Sequence, residues 1–366
     1  MSSRKQRELR EAAGRVMMVG LGGTTLTDLE RAWLRLIRPT GLILFRRNIE
    51  SLPQTVALLR EASQIINRPT LRCVDLEGGI VDRLRDVLAP MPSAARVFAT
   101  ADPQLFYRHG KLIGRAAHLA GFNATLAPVV DLALPISAEV MKSRVVSAQP
   151  NDVRQYALTF LEGLATEEVY GCAKHFPGLG GGVVDSHLSL PVIDRSWREL
   201  WNEDLVPFRS LARHVPITMV AHAAYPKVTR NHLPASLSPH WIQKVLRKRV
   251  GFKGLVLSDD MEMGGVLTHC SMGEAAVRAI AAGTDLIEIC HNPALILTAY
   301  EALLREAEQR TLFYRQLTAA SKRVASWAKR LNLIQTQALR SPTLAQIEKL
   351  RGQIAAFTQK CAGDRA

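Results

Sequence analysis

Apolar residues in this chain gather into short, β-rich runs that return at nearly even intervals. Eight stand out: Val16–Gly20, Gly41–Phe45, Leu71–Asp75, Ala124–Asp131, Val169–His175, Ile217–His222, Gly254–Asp259 and Thr284–Cys290. Between them the pattern changes to the three-and-four step of amphipathic helices. Leu52, Val56, Leu59 and Ile66 show it before the third run, and Trp241, Ile242, Val245 and Leu246 before the seventh. A strand followed by a helix, repeated eight times, predicts an α/β protein built as a (β/α)8 TIM barrel rather than an open doubly wound sheet. Residues 1–335 are assigned to this single barrel domain. After Ile334 the repeat ends, and Ser341–Pro342–Thr343 reads as a turn and cap leading into one more helix. Leu344, Ile347, Leu350, Ile354 and Phe357 keep helical spacing there, so residues 336–366 are expected to form a C-terminal helical extension packed on the barrel.

The chain has 366 residues, 47% of them hydrophobic, which is enough to fill a large core. Its apolar runs fall well short of the roughly 20 residues of a membrane span. Met1–Ala13 is charged, and the run after it is too short and Gly-rich for a secretory segment, so a cytoplasmic protein with no membrane partner is expected. The net charge of +14 raises the question of nucleic acid. Clusters such as Arg247–Arg249 and Lys322–Arg323 are dispersed and lack interleaved aromatics, so no nucleic-acid partner is expected. The positive field instead favours acidic small substrates. The five cysteines are odd in number, widely spaced and without metal-ligand spacing, and read as reduced thiols.

Active sites of such barrels form at the C-terminal ends of the strands. Asp75, Asp131, Lys174 with His175, His222 and Asp259 all fall there. The run Gly254–Met261 ends in two acids, which puts Asp259 or Asp260 at the barrel mouth, where a carboxylate can attack an anomeric carbon. The chemistry is assigned to Asp259, and capping of the next helix to Asp260. A second segment, Ala173–His187, leaves a strand through Gly178, Gly180, Gly181 and Gly182, which reads as a mobile loop. Beyond it Asp185 and His187 stand two apart, so in extended backbone the carboxylate can support the imidazole as a general acid/base. A third, Val74–Arg83, is a strand end and tight turn whose carboxylates and guanidinium suit sugar hydroxyls.

With these segments the chain resembles the single-domain β-N-acetylglucosaminidases of glycoside hydrolase family 3 over roughly residues 15 to 335. The resemblance rests on Lys174–Gly178 (KHFPG), Asp185–His187 (DSH), Gly254–Asp260 (GLVLSDD) and Val74–Gly79 (VDLEGG), supported by Gly41–Asn48 and Ala127–Asp131. It implies Asp259 as nucleophile, His187 as acid/base and Asp185 as its orienting partner. It also implies Asp75, Arg83, Arg144, Lys174 and His175 as ligands of the non-reducing sugar, with no metal or organic cofactor. The implied activity is a retaining hydrolase that removes terminal N-acetylglucosamine from peptidoglycan fragments during cell-wall recycling. The chain departs from the family pattern at Leu76, Ile80, Leu179, Gly181 and Gly182 and around Arg144. Alternatives compatible with the residues are a β-glucosidase or glycoside phosphorylase of the same family, and a catalytically decayed sugar-binding protein. A zinc hydrolase is disfavoured, because the first strand carries no His-x-His pair and Lys174 would adjoin the cation.

Overall fold

A computed structural model describes residues 3–184, 189–335 and 339–362 of the protein. Each of the eight apolar runs contributes one strand: β1 Met17–Gly20, β2 Gly41–Leu44, β3 Leu71–Val74, β4 Ala124–Thr125, β5 Cys172–Phe176, β6 Ile217–Val220, β7 Leu255–Asp260 and β8 Leu286–Ile289. They form one parallel sheet in the order β4-β3-β2-β1-β8-β7-β6-β5. Single bridges from Ala124 to Tyr170 and from Val129 to Lys174 join its two edges and close the barrel. The run from Ala124 to Asp131 yields a strand of only two residues. Pro128 has no N–H for the ladder, and pairing resumes beyond it at Val129 alone.

Side chains alternate across a strand, and that alternation decides what the barrel encloses. Met18, Ile43, Leu71, Cys73, Cys172, Ile217, Leu255, Leu257 and Leu286 pack together inside. Met17, Val19, Leu42, Leu44 and Val256 face outward into the helical layer. Continuing the inward positions by two residues along their strands reaches Asp75, Lys174, Asp259 and Glu288. The same periodicity that fills the interior with apolar groups thus delivers charged ones to its mouth.

Several helices begin where the sequence supplies a cap. Ser51 opens Leu52–Ile66 by accepting from the Gln54 N–H, and that helix buries Leu52, Val56, Leu59 and Ile66 as its spacing predicts. The π-type helix His240–Val250 buries Trp241, Ile242, Val245 and Leu246. No described helix is long and apolar enough to cross a membrane. The cysteines are all free thiols, four of them buried and Cys270 half-buried.

The last helix, Leu344–Ala362, buries Ile347, Leu350, Ile354, Phe357 and Cys361. Leu344, expected on the same face, sits at the helix start and is 72% exposed. Phe357 stacks on His109 of the helix Pro103–Leu119, with ring centroids 5.9 Å apart. His109 in turn shares a 2.7 Å hydrogen bond with Tyr156. A methyl placed on Gly78 would come within 3.1 Å of its Nε2.

Candidate active site

A cavity of about 450 Å³ opens at the C-terminal ends of the strands, and its wall includes Asp75, Glu77, Arg144, Lys174, His175 and Asp259. Its size is that of an ordinary small-molecule site.

One side of the cavity is an alternating set of charges. Lys174, from β5, places Nζ 2.9 Å from Asp75 Oδ1 and 2.7 Å from Glu77 Oε1. Arg144 donates from Nε and Nη2 to the two oxygens of Glu77, both at 2.8 Å, in the bidentate geometry that a planar guanidinium allows. Arg83 reaches Asp75 Oδ2 at 3.4 Å. Burial pushes the Asp75 and Glu77 carboxyls up, but the facing cations outweigh it. Lys174 and Arg83 hold Asp75 well below the usual carboxylate range, and Arg144 and Lys174 hold Glu77 at about 2. Burial likewise lowers Lys174, and the two carboxylates more than reverse it, keeping the ammonium charged. The result is a largely buried, ionised network of donors and acceptors, the chemistry that recognises a polyhydroxylated ligand.

Glu77 stands on a small hairpin, Leu76–Gly78 paired with Val81–Asp82. Its turn runs through Gly78 and Gly79 at φ 88° and 63°, the left-handed region where glycine carries no steric penalty. Asp82 holds the far side by accepting from the Leu84 and Met91 N–H groups, both at 3.0 Å.

His175 is fixed from both ring nitrogens. Nδ1 lies 2.7 Å from Asp131 Oδ2, and Nε2 lies 3.4 Å from Arg144 Nη2. Arg144 is a donor only, so the ring proton belongs on Nδ1, facing the carboxylate. Asp131 also accepts the Leu179 N–H at 2.7 Å, and with it anchors the chain leaving β5. The glycine run there is not the loose loop that its composition predicts. Residues 178–182 are buried, and a methyl on Gly180 would fall 2.5 Å from the Leu132 carbonyl oxygen. The glycines permit close backbone approach, which reads identically to flexibility in sequence. Asp185 and His187 lie outside the described residues. Val184 and Pro191, on either side of them, line the cavity.

Across the cavity, Asp259 is the penultimate residue of β7, and its Oδ1 accepts the Asp260 N–H at 2.9 Å. Asp260 does not cap the next helix. That helix, Gly264–Leu267, starts after Met263 without a side-chain cap, and Asp260 Oδ1 instead accepts the Glu262 N–H at 3.1 Å within the turn. Burial raises the Asp260 carboxyl to about 7, and the neighbouring Glu262 and Asp259 charges add to the shift. His222 serves the scaffold, with Nδ1 2.7 Å from Ser236 Oγ and Nε2 3.0 Å from the Asp260 carbonyl oxygen.

Two acids of the cavity wall were not singled out from the sequence. Glu77 was visible only as one acid within a strand-end turn, because its partner Arg144 is 67 residues away. Glu288 sits in the apolar run Leu286–Ile289, where a single charge among β-branched and aliphatic residues was the available signal. Among the described residues no group of three or more His, Cys, Asp or Glu side chains is arranged to hold a metal ion.

A profile described as the glycosyl hydrolase family 3 N terminal domain matches residues 8–327. A β-hexosaminidase of Idiomarina loihiensis is 33% identical over 296 residues, which are 80% of this chain and 88% of that protein. Among solved structures, a fungal multi-domain family 3 β-N-acetylglucosaminidase superposes with a TM-score of 0.89 at 26% identity, covering 96% of this chain and 42% of the longer fungal one. NagZ from Neisseria gonorrhoeae, solved in complex with N-trifluoroacetyl-D-glucosamine, superposes with a TM-score of 0.71 at 27% identity, covering 85% of this chain and 98% of that protein.

Proposed function

The chain belongs to glycosyl hydrolase family 3 and is a glycoside hydrolase; from that premise we propose that it is a retaining β-N-acetylglucosaminidase acting through a glycosyl-aspartate intermediate. The observation that carries the reading is the placing of Asp259 at a strand end in the same cavity as the ionised Asp75–Lys174–Glu77–Arg144 network. The network, with Arg83 and His175, holds the hydroxyls and acetamido group of the terminal sugar.

In the first step an oxygen of Asp259 bonds to the anomeric carbon as the glycosidic C–O bond breaks, and His187 gives its proton to the departing oxygen. In the second, water attacks the same carbon, Asp259 leaves with its electron pair, and the proton of the water passes to His187. Two inversions give net retention. Asp185 orients His187 and supports its protonated form. The natural substrates are peptidoglycan fragments ending in N-acetylglucosamine, cleaved in the cytoplasm, with residues 336–366 as a helical extension of the barrel domain.

Steady-state assays on an aryl β-N-acetylglucosaminide test the reading. Asp259→Ala and His187→Ala are each expected to lower kcat by on the order of a thousandfold or more. Near-normal turnover by Asp259→Ala would sink the mechanism. Products that become sugar 1-phosphate when phosphate is added would make the chain a phosphorylase instead.

A further inference from the structure

Glu288 is a buried acid that the proposed reaction does not use. It projects inward from β8 between Leu286 and Cys290, is 3% exposed and lines the active-site cavity. One of its oxygens is committed, since Oε1 accepts the Cys290 thiol at 3.1 Å. The other, Oε2, has no hydrogen-bond partner among the described residues. A buried polar atom without a partner is costly, and proteins retain such atoms where a ligand completes them.

The surroundings decide which role that oxygen plays. Among the described residues no cation is paired with Glu288, whereas Lys174 and Arg144 are taken up by Asp75 and Glu77. Burial pushes the Glu288 carboxyl well above its ordinary range, and the nearby Asp260, Asp75 and Asp259 charges push it further. Burial beside these carboxylates, with no cation paired to it among the described residues, favours the neutral, protonated form. Because Oε1 is already an acceptor, that proton belongs on Oε2. Asp75 and Glu77 offer acceptors to a sugar, and Glu288 offers a neutral donor from the floor of the same cavity.

We propose that Glu288 is a further sugar-contacting residue, whose Oε2–H donates a hydrogen bond to an oxygen of the bound hexosamine while the Cys290 thiol fixes the orientation of the carboxyl. The assignment rests on the function proposed above. It concerns binding, and the covalent steps go forward without it.

Kinetics of Glu288→Gln and Glu288→Leu on the aryl glucosaminide, with thermal denaturation of each protein, provide the test. A glutamine can accept from Cys290 and donate from its amide, so KM is expected within about threefold of the parent. Leucine has no donor, and KM is expected to rise about tenfold with kcat little changed, the mark of a contact made equally in ground and transition states. Glu288→Met runs in parallel, so that one apolar variant with a parental melting temperature carries the comparison. On substrates lacking in turn the acetamido group or the 3-, 4- or 6-hydroxyl, the parent should lose affinity at one position where the leucine variant loses none. Unchanged KM in a folded apolar variant overturns the proposal, as does an equal loss in the glutamine and leucine variants. Those results leave parental turnover intact; absence of parental turnover would instead remove the proposed function and this assignment together.

Discussion

Lys174 Nζ lies 2.7 Å from Glu77 Oε1, in an ion pair whose two side chains are both almost wholly buried. The pair joins a barrel strand to the hairpin beside it. Lys174→Met would leave Asp75 with Arg83 at 3.4 Å and Glu77 with Arg144, so that each carboxylate keeps one guanidinium and loses the buried ammonium between them. Denaturant unfolding should show a loss below the roughly 3–5 kcal/mol of a buried carboxylate left with no cation. Combining the change with Glu77→Gln should cost less than the sum of the two single changes, because both remove the same ion pair. Additive losses in the double variant would show that the pair is not coupled.

Glu77 also sets an acid limit. Its folded-state carboxyl titrates at about 2, against an ordinary 4.5. A depressed carboxyl contributes stability that is fully present above the unfolded value and is lost as pH falls through the folded one. The melting temperature should therefore drop as pH falls from about 4.5 towards 2. In Glu77→Gln this part of the profile should flatten, with lower stability at neutral pH.

Asp260 works in the opposite sense. Its carboxyl titrates at about 7 when folded and 3.8 ordinarily, so the native state is penalised progressively as pH rises between those values. Ionisation also sets a second negative charge beside Asp259. Asp260→Asn keeps an acceptor for the Glu262 N–H and removes both effects. The variant should be more stable than the parent at pH 8, and any limb of its kcat/KM profile near pH 7 should move. An unchanged profile would separate Asp260 from the chemistry.

Gly180→Ala tests whether the glycine run is packed or merely loose. The added methyl would fall 2.5 Å from the Leu132 carbonyl oxygen, so backbone has to move. A loss of about 1–3 kcal/mol is expected, together with a rise in KM, since Leu179 next to it is held by the Asp131 that orients His175. Unaltered stability would return the segment to the loose loop read from its composition.

The eight strands were legible because a barrel interior demands apolar residues at alternate positions, and little else in a sequence imitates that. Asp75, Lys174 and Asp259 followed, since they extend the inward rows to the mouth. Other features depend on partners distant along the chain. Arg144 could be tied to sugar binding only by family resemblance, and its bidentate hold on Glu77 is a tertiary fact. The acid after a strand has a generic prior as a helix cap, and Asp260 was misread on that prior because its turn places Met263 at the cap position. Glycine misled for a related reason, as the absence of a side chain permits either motion or contact. Glu288 sat in a strand that was read correctly, yet its exceptional charge was passed over because the rest of the strand fits a core.

The family match stops at residue 327, while Phe357, on the last helix, lies against His109 and through it backs Gly78, the neighbour of Glu77. A protein trimmed to that boundary would keep every residue assigned to the chemistry and lose the outer support of the hairpin that presents Glu77. The stretch that the family profile matches and the length needed to keep a sugar-binding wall in place are, in this protein, different quantities.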